Sequence, residues 1–392
     1  MTMRARALAG LFLLTPVLAS VPVLAQAPAQ ALVLPSIAAT PDSALIGLAR
    51  RYQDAGDTAT ASAAIRKSLG APGLSEAELA TRLAAAIAVT MNHGTPEGLA
   101  AAERLAVRLD HLSDAVTAQK IAGHQHLLAD YRALDNDEQI FTHASRILRL
   151  VPALNSAERQ QAADAIASAY SSLARVAGDR AQTPHALSIL HEGIAASPDL
   201  PSVVTELTTV LARYEQVGHP GAPIDAQYWF NAPAGTTQFT PGGAVTLVEF
   251  TAHWCGPCRK SYPAIDRLQH KYGTHGLQTL FATITYGFFK DRQKLTAAQE
   301  AAADSAYYLT EHALPVRVAV YDAHPGGDTT IHMPNETNYK VGGIPQIVLL
   351  DRAGVVRMIV VGWDPASEQH LSAMLDTLFA EPSSPAKTTR GQ

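Results

Sequence analysis

Two cysteines are all that the 392 residues contain, and they stand together in Trp254-Cys255-Gly256-Pro257-Cys258. A pair so spaced can open and close a disulfide, or it can supply half of a zinc site. A closed zinc site needs four ligands, and no second pair exists, so no metal is expected. The residues before the pair, Val245-Thr246-Leu247-Val248-Glu249-Phe250, read as a buried strand, and those after it read as a helix. Both sulfurs then fall in the first helical turn, where free backbone N–H groups and the positive dipole end lower a thiol pKa to ~7 or below. Cys255, at the exposed end, is the expected nucleophile. Cys258 is the expected resolving thiol, close enough to close a disulfide without long chain movement. Pro257 suits a helix start because its missing N–H would go unbonded there, and Gly256 leaves the backbone room to turn.

The elements that must position this pair lie in the last part of the chain. Strands are predicted at about 227–230, 245–251, 278–285, 316–321, 346–350 and 355–361, with helices at 258–272, 297–311 and 367–379. Such alternation is the signature of an α/β domain whose sheet is covered on both faces, here spanning 226–380. The preceding Gly-His-Pro-Gly-Ala-Pro-Ile-Asp at 218–225 breaks every helical pattern and reads as a linker. Before it, 43–217 is Ala- and Leu-rich with apolar residues at helical spacing, and it reads as an all-helical domain. Clear helices fall at 75–91, 96–112, 114–133, 157–176 and 184–196. Ser75, Thr95 and Thr183 are the start signals, the last two standing before a proline. The run 186–198 resembles the second helix of a tetratricopeptide repeat, but no second clean copy accompanies it, so an irregular helical hairpin array is an equal reading. This region holds no cysteine, and its helices are long enough for a core of their own.

The segment Phe250-Thr251-Ala252-His253-Trp254-Cys255-Gly256-Pro257-Cys258-Arg259-Lys260-Ser261-Tyr262-Pro263 resembles the active-site strand, motif and helix of the thioredoxin superfamily. The resemblance extends over about 225–379. It makes Pro263 the proline that bends the active-site helix and Gly342-Gly343-Ile344-Pro345-Gln346 the cis-proline loop. It implies that Ile344 and Pro345, with Trp254, Gly256 and Pro257, meet the substrate chain, which the loop would accept like an added strand. Trp254 is expected to pack beneath the site. Glu249 stands where thioredoxins carry a buried acid that relays protons to the resolving thiol, and a carboxylate in a central strand is costly without such a role. His253 and Arg259 flank the motif as solvated residues or as tuners of the thiol pKa. Gly362 matches the family's glycine near the site. The long interval between Cys258 and Pro345 leaves room for inserted residues at 286–294 and 322–340. That arrangement is similar to the exported TlpA- and ResA-like branch, whose members reduce protein disulfides.

Composition narrows the setting. Arg4 and Arg6 precede an apolar run from 7 to 24, and Ala25 and Ala27 follow in an A-x-A-like arrangement, so 1–27 reads as a secretory signal, with 28–42 as a linker. An uncleaved anchor is the alternative, but Pro16 and Pro22 interrupt the run. Cleavage would take the formal charge from −5 to about −7, which disfavours nucleic acid as a partner. Export to the periplasm is the expected location, and the polar tail at 381–392 is expected to be disordered. Gly-Pro between the cysteines and Ile344 before Pro345 resemble thioredoxin, poised at ~−270 mV, more than a strong oxidant at ~−120 mV. The expectation is a protein-disulfide reductase needing no cofactor and recharged by a membrane electron donor. An oxidase or isomerase is the runner-up. A redox-sensing scaffold is a rival of another class, in which the helical region captures a protein partner or a second copy of the chain.

Overall fold

The computed structural model describes residues 34–382 apart from 92, 93, 135 and 365. The signal peptide at 1–27, the start of the 28–42 segment and nearly all of the tail lie outside the described residues. Among the described residues, ten α-helices build the first half: α1 (Leu45–Asp54), α2 (Thr58–Leu69), α3 (Glu76–Thr90), α4 (Pro96–Asp110), α5 (Thr117–Ala133), α6 (Asp137–Leu150), α7 (Ser156–Gln161), α8 (Ala163–Asp179), α9 (Thr183–Ala195) and α10 (Pro201–Tyr214). Short polar residues start many of them. Asp57, Thr95 and Asn136 each accept a backbone N–H of the first turn, and Ser75 and Asn155 close full capping boxes with Glu78 and Glu158. Most neighbouring helices in the chain pack against one another around one shared core that includes Leu48, Leu83, Ile87, Leu127, Ile147 and Leu207. The single helix expected at 157–176 is two, α7 and α8, because the backbone at Ala162 swings to ψ 3°. Apolar periodicity runs across that break and does not reveal it.

The second half is a six-stranded mixed sheet. Its strands are β2 (Tyr228–Phe230), β4 (Thr246–Phe250), β5 (Gln278–Ile284), β8 (Arg317–Tyr321), β9 (Gln346–Leu350) and β10 (Val356–Val361), in the order β10-β9-β4-β5-β8-β2. β4, β5 and β8 are parallel, while β2, β9 and β10 run antiparallel to their neighbours. Two-residue strands β1 (Ile224–Asp225) and β3 (Gln238–Phe239) pair beside it, as do β6 (Phe288–Phe289) and β7 (Arg292–Gln293). Four helices complete this half: α11 (Gly256–Tyr272), α12 (Ala297–Ala306), α13 (Pro334–Asn338) and α14 (Ser367–Ala380). The helix expected to reach 311 changes at Tyr307 into a wider π turn, Tyr307–Glu311. Alternate residues of β4 enter different cores: Leu247 packs with Phe281, Ile347 and the helices α11 and α14, whereas Val248 and Phe250 pack with Leu280, Val348 and Tyr339. Every residue of β4 is therefore buried. The strand that delivers the cysteine motif is thus held on both faces and paired on both edges.

The segment at 218–225, read as a linker from sequence, is not a loose tether. Gly218 N–H donates to the Val356 carbonyl, Val356 N–H to that of His219, and Gly221 N–H to that of Gly354, so the segment adds to the edge of β10. The helical half also touches the sheet half directly. Arg213 Nε donates to the Lys340 carbonyl at 3.1 Å, Gln216 Nε2 to the Tyr339 carbonyl at 3.1 Å, and Arg175 lies 3.7 Å from Asp364. Among the described residues, no helix is long and apolar enough to cross a membrane.

Candidate active site

β4 ends at Phe250, and a tight connection through residues 251–254 throws the chain into α11. Cys255 is the N-cap of that helix, and its sulfur accepts the Cys258 N–H at 3.1 Å. The helix start thus aims an orphan N–H and the positive dipole end at the first sulfur. Cys255 and Cys258 are joined in a disulfide. Cys255 retains 3% exposure and Cys258 none, so the outward sulfur is the one sequence reasoning named, though it is recessed. Pro257 is exposed in the first turn, and Pro263 lies inside α11.

The loop at 342–346 closes over the pair. The Ile344–Pro345 peptide bond is cis, and the Ile344 carbonyl is 3.7 Å from Cys255 Sγ. Gly362, at the end of β10, donates its N–H to the Pro345 carbonyl at 2.8 Å. The backbone of this loop therefore borders the sulfur that a substrate must reach. Trp254 differs from expectation. It does not pack beneath the site but stands 47% exposed, its ring meeting Tyr286 edge-on at 5.3 Å. An indole there offers an apolar face beside the sulfur, while the space beneath is filled by Tyr262 and Phe281.

Glu249 is fully buried. Burial pushes its carboxyl up to about 8, against the smaller lowering effects of Ser261 and Thr251. Ser261 Oγ lies 2.9 Å from Glu249 Oε2 and 2.7 Å from the Cys258 carbonyl oxygen. Below about pH 8 Glu249 holds a proton that it can donate to Ser261, leaving the serine proton for the Cys258 carbonyl oxygen. Sequence reasoning missed Ser261. Its one signal is helical register, since it stands three residues after Cys258 on the same face of α11.

The sequence allows His253 to be a solvated flank or a tuner of the thiol pKa, and the structure buries it. Its Nδ1 lies 3.0 Å from Asp304 Oδ1, and its ring packs among Phe288, Phe289 and Tyr286. Glu300 completes the group and accepts the Tyr286 N–H at 2.7 Å and the Gly287 N–H at 2.6 Å. Burial raises both carboxyls, and His253 acts against it. Ligand atoms of His253, Glu300 and Asp304 converge within 4.8 Å, so these are the residues that could hold a cation among those described. The commitment of both Glu300 oxygens to backbone amides makes them a pinning device for the residues 286–289 that stand over the motif. Sequence reasoning could not bring α12 to His253. Arg259 is exposed on α11.

Strand-to-helix placement of a Cys-x-x-Cys disulfide, a cis-proline loop beside it, and a sheet of this order define a thioredoxin-like α/β fold, preceded by a largely helical region. The family comparison agrees with that class. The family model described as Thioredoxin matches residues 241–287. The chain is 59% identical over 27 residues to Thioredoxin X, chloroplastic, of Arabidopsis thaliana, which is 7% of this chain and 15% of that protein. It is 35% identical over 40 residues to Thioredoxin of Coprinus comatus, 10% of this chain and 38% of that one. The matches thus span well under half the length of these curated relatives. Among solved structures, a thiol-disulfide isomerase from Corynebacterium glutamicum is 21% identical, with a TM-score of 0.33 over 42% of this chain and 97% of that one. A thiol:disulfide interchange protein of the thioredoxin family from Chlorobium tepidum is 17% identical, with a TM-score of 0.28 over 42% and 96%.

Proposed function

We propose that this chain is an exported thiol–disulfide oxidoreductase that reduces disulfides in other proteins. The observation that carries the proposal is the recessed Cys255 sulfur at a helix start, 3.7 Å from the Ile344 carbonyl in a loop that can receive an extended chain. In the reduced protein, the Cys255 thiolate attacks one sulfur of the substrate disulfide, forming a mixed disulfide and releasing the other sulfur as a thiolate. Cys258 gives its proton to Glu249 in the fraction of chains where that carboxyl is ionised, a fraction that grows as pH approaches about 8. The Cys258 thiolate attacks Cys255 and frees the second substrate thiolate, which takes up the proton. Two electrons have passed from the protein to the substrate, and a membrane donor of two electrons and two protons restores the dithiol. Trp254, Gly256, Pro257, Ile344 and Pro345 form the rim on which the substrate chain lies. Gly256-Pro257 and Ile344 favour a reducing poise, and the branch this resembles is the TlpA- and ResA-like one.

Two measurements test this reading. Cys255→Ser is expected to bring turnover of a protein disulfide to the uncatalysed rate, while Cys258→Ser is expected to accumulate the mixed disulfide. Retained turnover in Cys255→Ser defeats the reading. Equilibration with glutathione gives the direction: a potential near ~−270 mV supports a reductase, and one near ~−120 mV makes the chain an oxidase.

A further inference from the structure

The helical half reaches the loop that carries Ile344 and Pro345 through Arg213, near the end of α10. The Arg213 guanidinium lies so close to Gly342 that a Cβ there would collide with its Nη2, which explains a glycine at a position with no positive φ. Arg213 is only 7% exposed, and burial lowers its pKa. Its Nε is used by the Lys340 carbonyl, and no described carboxylate pairs with it. A buried cation without an acid is an electrostatic vacancy that an anion would relieve.

That cation opens onto space. Two contiguous hollows of about 390 and 400 Å³ run between α5, α8 and α10 on one side and residues 342–344 with Val361 and Gly362 on the other. They share Arg132, Arg175 and Val361. Arg132 is bonded to Ser168 and Arg175 to Asp179, so Arg213 is the cation in the groove for which an incoming carboxylate is the natural partner. The opposing charge is Glu206, two turns earlier on the exposed side of α10. Ile344 lines one end, and its carbonyl is 3.7 Å from Cys255 Sγ, so the groove continues from the reactive sulfur.

We infer that this groove receives an acidic, extended segment of the polypeptide whose disulfide is attacked, with a carboxylate of that segment docking on Arg213. The inference rests on the oxidoreductase reading and adds a substrate class to it. Gly342 stands two residues before Ile344, roughly 7 Å at ~3.3 Å per residue, so the acidic residue lies about two or three positions from the substrate cysteine. The helical region thereby selects substrates through the thiol site itself.

The test is binding, which does not depend on turnover. Matched fluorescent peptides carry serine in place of the reactive cysteine and either aspartate or asparagine about two residues to each side, and are titrated onto the full oxidised chain. The aspartate peptide is expected to bind about tenfold more tightly. Arg213→Gln is expected to abolish the difference, Arg213→Lys to keep most of it, and Glu206→Gln to widen it about twofold by removing the opposing charge. Equal binding of the two peptides to the parent chain, or a preference that survives Arg213→Gln, overturns the inference. If Arg213→Gln fails to fold, the surface variant Glu206→Gln decides: an unchanged ratio overturns the inference, and a widened one supports it. Failure of the oxidoreductase reading shows separately, as no turnover of a small neutral disulfide.

Discussion

In the helical half, the two buried histidines of α5 and α6 meet complementary partners. His124 Nε2 lies 3.2 Å from Asp110, His143 Nε2 lies 2.9 Å from Glu103, and the two imidazoles face each other through Nδ1 at 3.0 Å. Burial pushes both acids up, but their bonds to the histidines outweigh it, and both carboxyls sit below the ordinary range. In the thioredoxin-like half the balance reverses. Glu249, Glu300 and Asp304 are all raised by burial, and all belong to the elements around Cys255. The first arrangement stabilises a fold. The second tolerates a cost to folding, and at Glu249, raised to about 8, it holds a proton near neutral pH beside the thiol pair.

The largest expected effect separates the halves most sharply. Glu249 has an ordinary value of 4.5 and a folded value of about 8, so the folded chain holds this proton more tightly than the unfolded chain does. As pH rises above about 4.5 the unfolded state ionises first, and folding is progressively disfavoured until pH passes about 8, where the penalty levels off. Glu249→Gln escapes that penalty. It is expected to melt like the parent below about pH 4.5 and to gain stability above it, by on the order of 4 kcal/mol once pH exceeds about 8. Turnover should fall about 100-fold, through slowed release of the mixed disulfide. A variant with parental turnover would remove Glu249 from the chemistry, and a flat difference in melting temperature with pH would remove the raised proton.

His253 tests whether the second cluster is held together by charge. His253→Phe keeps an aromatic ring among Phe288, Phe289 and Tyr286 but removes the imidazole that stands 3.0 Å from Asp304, leaving Asp304 and Glu300 facing each other. The expected cost is about 1 to 2 kcal/mol once the carboxyls are ionised, for the lost imidazole–carboxylate contact, shrinking in acid as the raised carboxyls take up protons. Thermal melts across pH check it. A cost independent of pH would mean that packing alone places the residues 286–289.

Glu103→Gln makes the opposite prediction for the helical half. Glu103 accepts from His143 and from Tyr131 O–H at 2.8 Å, and its carboxyl is lowered, so its contribution is present above the ordinary 4.5 and is lost as pH falls through the folded value. With the site partly open to solvent, the expected loss is about 1 kcal/mol near neutral pH, vanishing in acid, with turnover unchanged. The two halves then have pH–stability slopes of opposite sign, read in one set of melts.

What could be read from the chain follows the range of the interactions involved. The six strands and the helix after Cys255 were legible because alternation, caps and the Cys-Gly-Pro-Cys spacing are local, and Glu249 was legible because a carboxylate inside an apolar strand is conspicuous. Asp304 meeting His253 and Arg213 reaching Gly342 were not. Each joins residues separated by an insertion or by the length of a domain, and no periodicity carries that information. Trp254 was misplaced for a related reason: an aromatic beside a motif looks equally apolar whether it faces the core or the solvent.

The smallest expected effect lies where sequence and structure agree most closely. Ser75 starts α3, accepts the Glu78 N–H and, through its own N–H, donates to Glu78 Oε2 at 2.9 Å. Ser75→Ala removes the side-chain acceptor and strands one first-turn N–H, at an expected cost of about 1 kcal/mol. Because the cap is exposed, water partly replaces it, and the loss should be nearly independent of pH above the Glu78 titration. Glu76 on the same turn is tied to Ser113 N–H at 2.6 Å, so fraying of α3 should also loosen the turn before α5, and amide exchange should quicken there first. Turnover and disulfide potential should not move. A change in either would mean that the caps of the helical half are coupled to Cys255 through Arg213 and the loop it touches, and that the division of labour between the halves is less complete than their buried charges suggest.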